Sequence, residues 1–194
     1  MNKKNPKQLK KDIIFDANIR GHDFKFHSTW GLFSQEKIDA GSELLLEYVK
    51  VKPDSRSIDL GCGYGALGIP IAKMSPKGKV HMVDKDFVAV EYANKNAEVN
   101  NIPNAKAYLS NMFSEVPEDA KFDLIVSNIP AKVSREMLWI MLADSRKYLV
   151  EGGSIYVVTI AGLKQFIKRN FKETFGNYKR VKQGKSHIVA SAKK

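Results

Sequence analysis

From Ser57 onward the apolar residues fall into two alternating rhythms. Compact runs at Ser57–Leu60, Val80–Asp84, Phe122–Ser127 and Ile155–Ile160 have the length and β-branched content of buried strands, and Ala105–Leu109 is a weaker run of the same kind. Between them lie stretches of helical period at Leu67–Met74, Val88–Asn100, Met137–Tyr148 and Leu163–Phe171. Glu151-Gly152-Gly153 is expected to close the third of these, and Trp139, Met141 and Leu142 are expected on its core face. Upstream, Ser42–Val49 reads as a helix that ends before Pro53, preceded by short strands at Ile13–Phe15 and Phe24–Phe26. Downstream, Tyr178–Lys182 and His187–Ala192 flank Gln183-Gly184. Two strands so near in sequence pair antiparallel, because a parallel return needs a crossover of about a dozen residues or more.

Strand–helix alternation predicts right-handed crossovers and a mainly parallel sheet covered by helices on both faces. With the closing hairpin it has seven strands. A chain of 194 residues is enough for one such α/β domain and short for two. Hydrophobic and charged shares of 43% and 27% are those of a soluble globular protein, and no apolar run reaches the length of a membrane span. The basic N-terminus is not followed by an apolar stretch, so no signal peptide and no membrane role are expected. The single cysteine, Cys62, permits no internal disulfide and suits a reducing, cytoplasmic setting. Its place in a glycine turn favours small size over thiol chemistry.

Charge changes the picture. The net charge of +11 is concentrated at the ends. Residues 1–11 hold five lysines and no acid, and residues 161–194 hold ten Lys or Arg against Glu173 alone, leaving the body slightly acidic. Residues 1–11 read as a disordered basic arm. If the two ends lie close, they form a positive surface suited to a polyanion such as RNA.

Candidate chemistry begins at Ser57-Ile58-Asp59-Leu60-Gly61-Cys62-Gly63-Tyr64-Gly65-Ala66-Leu67-Gly68. Strand, glycine turn and helix follow in order, and such a turn lets the backbone approach a ligand closely. Gly63-x-Gly65-x-x-Gly68 fits a dinucleotide site, whereas Asp59-x-Gly61-x-Gly63-x-Gly65 fits S-adenosylmethionine. In open α/β sheets ligands sit beyond the carboxyl ends of the strands. The next strand ends in Asp84, placed to accept from both hydroxyls of a ribose, which suits either cofactor. The strand after that ends in Ser110-Asn111-Met112, where Asn111 meets an adenine edge and Met112 its face. Asp59 favours the sulfonium cofactor, since a carboxylate here attracts an ammonium group and repels a pyrophosphate.

Phe122-Asp123-Leu124-Ile125-Val126-Ser127-Asn128-Ile129-Pro130-Ala131 tips the balance further. A buried strand ends in Asn-Ile-Pro. An sp² amine is a poor nucleophile because its lone pair is drawn into the π system. Two acceptors on its hydrogens pull the nitrogen towards tetrahedral geometry. The Asn128 side-chain oxygen is one candidate, and the Ile129 carbonyl, oriented by Pro130, is the other. Positioning then supplies most of the acceleration.

The sequence resembles the small-domain methyltransferase family, which includes ribosomal RNA guanine-N2 methyltransferases and related single-domain archaeal and bacterial proteins. The likeness runs from about Phe24 to Ala192. It rests on Gly31-Leu32-Phe33-Ser34-x-x-Lys37-Ile38-Asp39-x-Gly41-Ser42, on Asp59–Gly65, on Asp84 and on Asn128-Ile129-Pro130. It implies a Rossmann-like class I methyltransferase fold, with residues 12–56 as a lead-in that covers the cofactor and 57–194 as the catalytic domain. It also implies S-adenosylmethionine held by Phe33, Asp59, Gly61, Gly63, Tyr64, Asp84, Asn111 and Met112, and N-methylation at Asn128, Ile129 and Pro130, often of guanine N2 in RNA. Two positions depart from the family motif: Ile129 replaces its first proline, and Ala131 its stacking aromatic. A stacking partner would then come from Phe33, Tyr64 or Trp139. Protein glutamine methylation, an NAD-dependent oxidoreductase and a non-catalytic RNA-binding protein remain alternatives. The chain is expected to be a monomer or homodimer. The four scattered histidines match no metal spacing and read as structural.

Overall fold

Successive side chains of a strand leave opposite faces of its sheet. Leu124 and Val126 accordingly join one apolar cluster and Ile125 the other, and Tyr156 and Val158 part from Ile155 and Val157 in the same way. A strand buried on both sides needs cover on both sides. The computed structural model, which describes residues 12–130 and 133–194, supplies it.

The first elements are an antiparallel hairpin, β1 (Ile13–Ile19) and β2 (His22–Ser28), and helix α1 (Ala40–Tyr48). Then come β3 (Ser57–Leu60), α2 (Gly68–Met74), β4 (Val80–Asp84), α3 (Phe87–Val99), β5 (Ala105–Leu109), β6 (Phe122–Asn128) and α4 (Arg135–Tyr148). The chain closes with β7 (Leu149–Ile160), α5 (Lys164–Phe175), β8 (Lys179–Gln183) and β9 (His187–Lys193). Seven strands form one sheet in the order β5-β4-β3-β6-β7-β9-β8. The first five are parallel, and β9 runs antiparallel to both β7 and β8, as the hairpin expectation requires. The hairpin and α1–α3 pack on one face, α4 and α5 on the other. The parallel strands all end on one edge, where β3 and β6 lie side by side.

Three expectations need correction. Glu151-Gly152-Gly153 does not break the chain: β7 starts at Leu149 and runs through it. Gly152 takes a left-handed φ of 75°, its N–H bonds the Lys194 carbonyl, and Lys194 bonds back to Gly153, so the C-terminus completes the strand. Helix α4 begins at Arg135, before Met137, because the Ser134 hydroxyl accepts from the Met137 N–H and caps it. Trp139 is not core: Leu138, Met141, Leu142 and Ser145 form the buried stripe, and Trp139, one position off it, is 54% exposed. The expected basic arm (1–11) and Ala131 lie outside the described residues.

Candidate active site

A cavity of about 680 Å³ opens over the carboxyl ends of β3, β4, β5 and β6. The residues expected to hold the cofactor or carry the transfer all line it: Phe33, Asp59, Gly61, Gly63, Tyr64, Asp84, Asn111, Met112, Asn128, Ile129 and Pro130; Trp139 does not. Chain direction accounts for this. Parallel strands deliver their C-terminal turns to the same edge.

The glycine turn works at two scales. Gly61 and Gly63 have φ of 72° and 55°, and a Cβ at either would meet nothing within 4 Å, so their backbone borders open space. Gly68 is different: a Cβ there would come within 2.5 Å of Met82, so this glycine serves close helix–sheet packing. The Gly63 N–H donates to one Asp84 oxygen at 2.9 Å and the Asp86 N–H to the other at 3.0 Å. Both oxygens keep a lone pair for a ligand.

Asp59 is buried. One of its oxygens accepts from the Gly68 N–H at 2.9 Å, and the other has no partner among the described residues. Burial pushes its carboxyl up to about 7, with the Gly68 hydrogen bond pulling the other way and the charge of Asp84 adding to the rise. Two consequences follow for what the cavity can hold. The first N–H of α2, where a dinucleotide would seat its pyrophosphate, already serves Asp59. The orphaned carboxylate oxygen favours a cation instead. The residues therefore fit the ammonium and sulfonium groups of S-adenosylmethionine and oppose a dinucleotide.

At the end of β6 the Asn128 amide donates to an Asp39 oxygen at 3.0 Å and to the Ser42 hydroxyl at 2.9 Å. A carboxylate only accepts, so this pairing sets the amide's orientation. Both N–H groups point to α1 and its cap. The side-chain oxygen is left without a protein donor among the described residues. The other Asp39 oxygen accepts from the Gly41 and Ser42 N–H groups, which makes Asp39 the N-cap of α1 as well. Ser127 is tied to the Leu60 carbonyl at 2.8 Å, locking the ends of β3 and β6 together. Ile129 continues β6, its N–H bonded to the Val158 carbonyl and its side chain in the core.

Of the three aromatics expected as stacking partners, only Phe33 presents an exposed ring to the cavity. Tyr64 is 3% exposed, edge-on to Phe15 and Phe26, and its hydroxyl donates to the Ser34 and Lys37 carbonyls. It braces the loop that carries Phe33. Asn111 and Met112 project from a turn in which the Ser110 hydroxyl donates to the Met112 carbonyl. The Cys62 thiol is pushed well above its usual range by burial and by the charges of Asp59 and Asp84, which disfavours the thiolate.

Asp39 and Ser42 were visible in the sequence only as part of a lead-in motif, without a role. His187 also lines the cavity, from the start of β9. Nothing in its sequence surroundings marked it, because its neighbours there come from distant segments. Among the described residues no group of His, Cys, Asp and Glu could hold a metal ion, and no helix is long and apolar enough to cross a membrane.

Comparison with known proteins bears on the same residues. A family model described as Methyltransferase small domain matches residues 23–191. YbxB of Bacillus subtilis (strain 168) is 32% identical over 179 residues, covering 91% of this chain and 89% of that protein. Ribosomal RNA large subunit methyltransferase G of Shewanella amazonensis is 28% identical and covers 98% of this chain. Among solved structures, the T. thermophilus 16S rRNA N2 G1207 methyltransferase (RsmC), in complex with AdoMet and guanosine, superposes with a TM-score of 0.86 at 31% identity over 94% of this chain. The chain spans about half the length of each of these two RNA methyltransferases. A ribosomal protein L11 methylase from Lactobacillus delbrueckii subsp. bulgaricus follows with a TM-score of 0.69 at 25% identity, with 86% of this chain and 84% of that one covered.

Proposed function

This chain belongs to the methyltransferase small-domain family and uses S-adenosylmethionine as methyl donor, and from that premise we propose that it methylates an sp² exocyclic amine of RNA, guanine N2 being the target its site suits best. The observation that carries this reading is the orientation of Asn128: Asp39 and Ser42 take both of its N–H groups, so it offers the cavity an acceptor. When bound, S-adenosylmethionine supplies an already activated methyl group whose leaving sulfur departs as a neutral thioether.

Asn128 accepts one hydrogen of the incoming amine and the Ile129 carbonyl the other. Holding both hydrogens in place loosens the nitrogen lone pair from the π system. Pro130 keeps Ile129 extended, as β6 already does. Once the N–C bond has formed and the S–C bond has broken, the nitrogen is cationic and acidic and gives up one proton to solvent, so no strong base is needed and alignment accounts for most of the rate. On the donor side, Asp84 would accept from ribose hydroxyls, Asp59 would offer its carboxylate to the cationic methionine portion beside the open backbone at Gly61 and Gly63, and Phe33, Asn111 and Met112 would hold the adenine.

RNA is favoured as acceptor by the rRNA methyltransferases among the relatives and by the excess of basic residues. A protein acceptor is the second reading, supported by the likeness to the L11 methylase, and the acceptor pair at Asn128 and Ile129 would then suit a glutamine amide. Incubation with labelled methyl donor and either total RNA or total protein, followed by mass spectrometry of the modified residue, decides between them. Label in N2-methylguanosine is the expected result, and label confined to glutamine would replace RNA with protein.

Asp84→Ala removes a ribose acceptor and strands the Gly63 N–H. It is expected to weaken S-adenosylmethionine binding by about 1–3 kcal/mol, the cost of unpaired buried polar groups. An unchanged dissociation constant by calorimetry would place the ribose elsewhere.

Asp59 makes binding pH-dependent. Its folded-state carboxyl titrates near 7, above the ordinary value of 3.8. Between these values the folded protein holds a proton that the unfolded chain has lost, so this group's contribution to stability falls as pH rises and levels off above 7. A cationic ligand stabilises the ionised form. Cofactor affinity should therefore rise with pH up to about 7 and then flatten, with a proton released on binding. Calorimetry in buffers of different ionisation enthalpy reads that proton. Asp59→Asn should abolish both the release and the slope, and a slope that survives the substitution would locate the titrating group elsewhere.

A further inference from the structure

The two flanks of the cavity mouth differ in charge. On one side, residues 12–28 together with α3 carry three Lys or Arg and five acids. On the other, α4 and α5 carry seven Lys or Arg and three acids, and the neighbouring β8 and its turn add Lys179, Arg180 and Lys185, whereas Lys182 of β8 lies over the Tyr48 ring of α1. The basic flank reaches the cavity at two points. Arg135 follows Ser134, which lines the cavity, and Lys185 lies two residues before His187, which also lines it.

The basic flank carries aromatic rings among its charges. The guanidinium groups of Arg135 and Arg169 both lie over the Phe166 ring, 6.0 and 5.9 Å from its centre. The ring constrains the two cations while leaving them near solvent; the Arg169 side chain, which also lies 3.7 Å from the Glu173 carboxylate in an exposed pair, is 69% exposed. Arg135, Trp139 and Arg146 recur at helical spacing on the solvent side of α4. Trp139 has no core to fill there. A base-sized aromatic face between cations is the combination that single-stranded nucleic acid uses, with phosphates on the charges and a base on the ring.

We propose that the RNA strand carrying the target nucleotide docks along α4 and α5 and the β8–β9 turn, entering the cavity past Arg135 and Lys185, and does not cross the hairpin and α3. This rests on the RNA reading above. Asn128 shares the cavity lining with Ser134, next to the start of α4, and with His187, which pairs with β7 two residues beyond the partner of Asn128, so this flank adjoins the acceptor pair.

The test compares two double variants by fluorescence anisotropy with a short labelled single-stranded RNA over a range of salt. Arg135→Glu/Arg169→Glu is expected to lower RNA affinity at least about tenfold and to reduce the magnitude of the log K against log salt slope by about 1.4, two single-strand phosphate contacts. Lys25→Glu/Lys73→Glu, which makes the same charge change on the face that carries the hairpin and α2, should leave affinity within about threefold. Calorimetry with S-adenosylmethionine checks that both remain folded and loaded, and Trp139→Ala provides an uncharged probe that should also weaken binding. Equal losses in the two double variants, or no loss in the first, would overturn the proposed track. If the unaltered protein binds no RNA but methylates a protein, the RNA reading itself falls, which is a distinct result.

Discussion

Asn128→Ala is expected to reduce methyl transfer by about 10²–10³-fold in kcat while S-adenosylmethionine affinity stays within a few fold. The scale is that of removing one preorganised polar group aimed at a reacting centre, about 2.7–4 kcal/mol. The split between rate and cofactor binding follows from geometry. Asn128 sits at the end of β6, and both of its N–H groups are engaged by Asp39 and Ser42. Its oxygen is the acceptor left for a ligand in the cavity that Asn128 lines. Single-turnover transfer with a labelled donor, alongside calorimetry for the cofactor, separates the two effects. A parallel loss of cofactor binding would make Asn128 a ligand or a structural post, and the acceptor role would be lost.

Asp39→Asn should be nearly as damaging, although Asp39 belongs to a different element. Its two oxygens have separate duties: one caps α1, the other accepts from Asn128. The substituted amide has only one acceptor oxygen. If that oxygen keeps the cap, the new NH₂ meets the NH₂ of Asn128, donor against donor. Asn128 escapes by turning over. Its oxygen then accepts from the new amide, and the Ser42 hydroxyl, which can donate as well as accept, supports the reversed state. A donor now faces the substrate amine. The expected outcome is a fall in kcat of about tenfold to a hundredfold, with folding and cofactor affinity nearly intact. Asp39→Ala separates the components: the lost cap costs about 1 kcal/mol of stability, while Asn128 loses one anchor without being reversed. Turnover in Asp39→Asn equal to the unaltered enzyme would show that the orientation of Asn128 is held by something other than this carboxylate.

Both predictions depend on contacts that join distant parts of the chain, and they mark where a linear reading stops. The order of strands and helices, the closing hairpin, and the gathering of Asp59, Asp84, Asn111 and Asn128 on one sheet edge were legible because each follows from local rules. Period sets element type, loop length sets strand direction, and parallel strands place their C-terminal turns together. The errors came where a local rule was ambiguous by one residue or was overruled from afar. Trp139 lies a single position off the buried stripe of α4, and an apolar stretch does not say where that stripe falls. Tyr64 looks like a platform beside a glycine turn, yet the β1–β2 hairpin packs against its ring and takes it into the core. Two glycines after Leu149 look like a break until the C-terminal residue bonds across them.

By itself, then, the amino-acid order determined the layered α/β architecture, the crest on which a ligand would sit, and the kinds of side chain that line it, since these depend on spacing between near neighbours. Folding alone decided which atoms of those side chains remain free. Asp39 and Asn128 stand 89 positions apart, and only when α1 packs beside the end of β6 does one turn the other's oxygen towards the cavity. Hydrogen-bond direction at a buried amide is set by what lies within about 3 Å, and for this residue those neighbours come from another part of the chain.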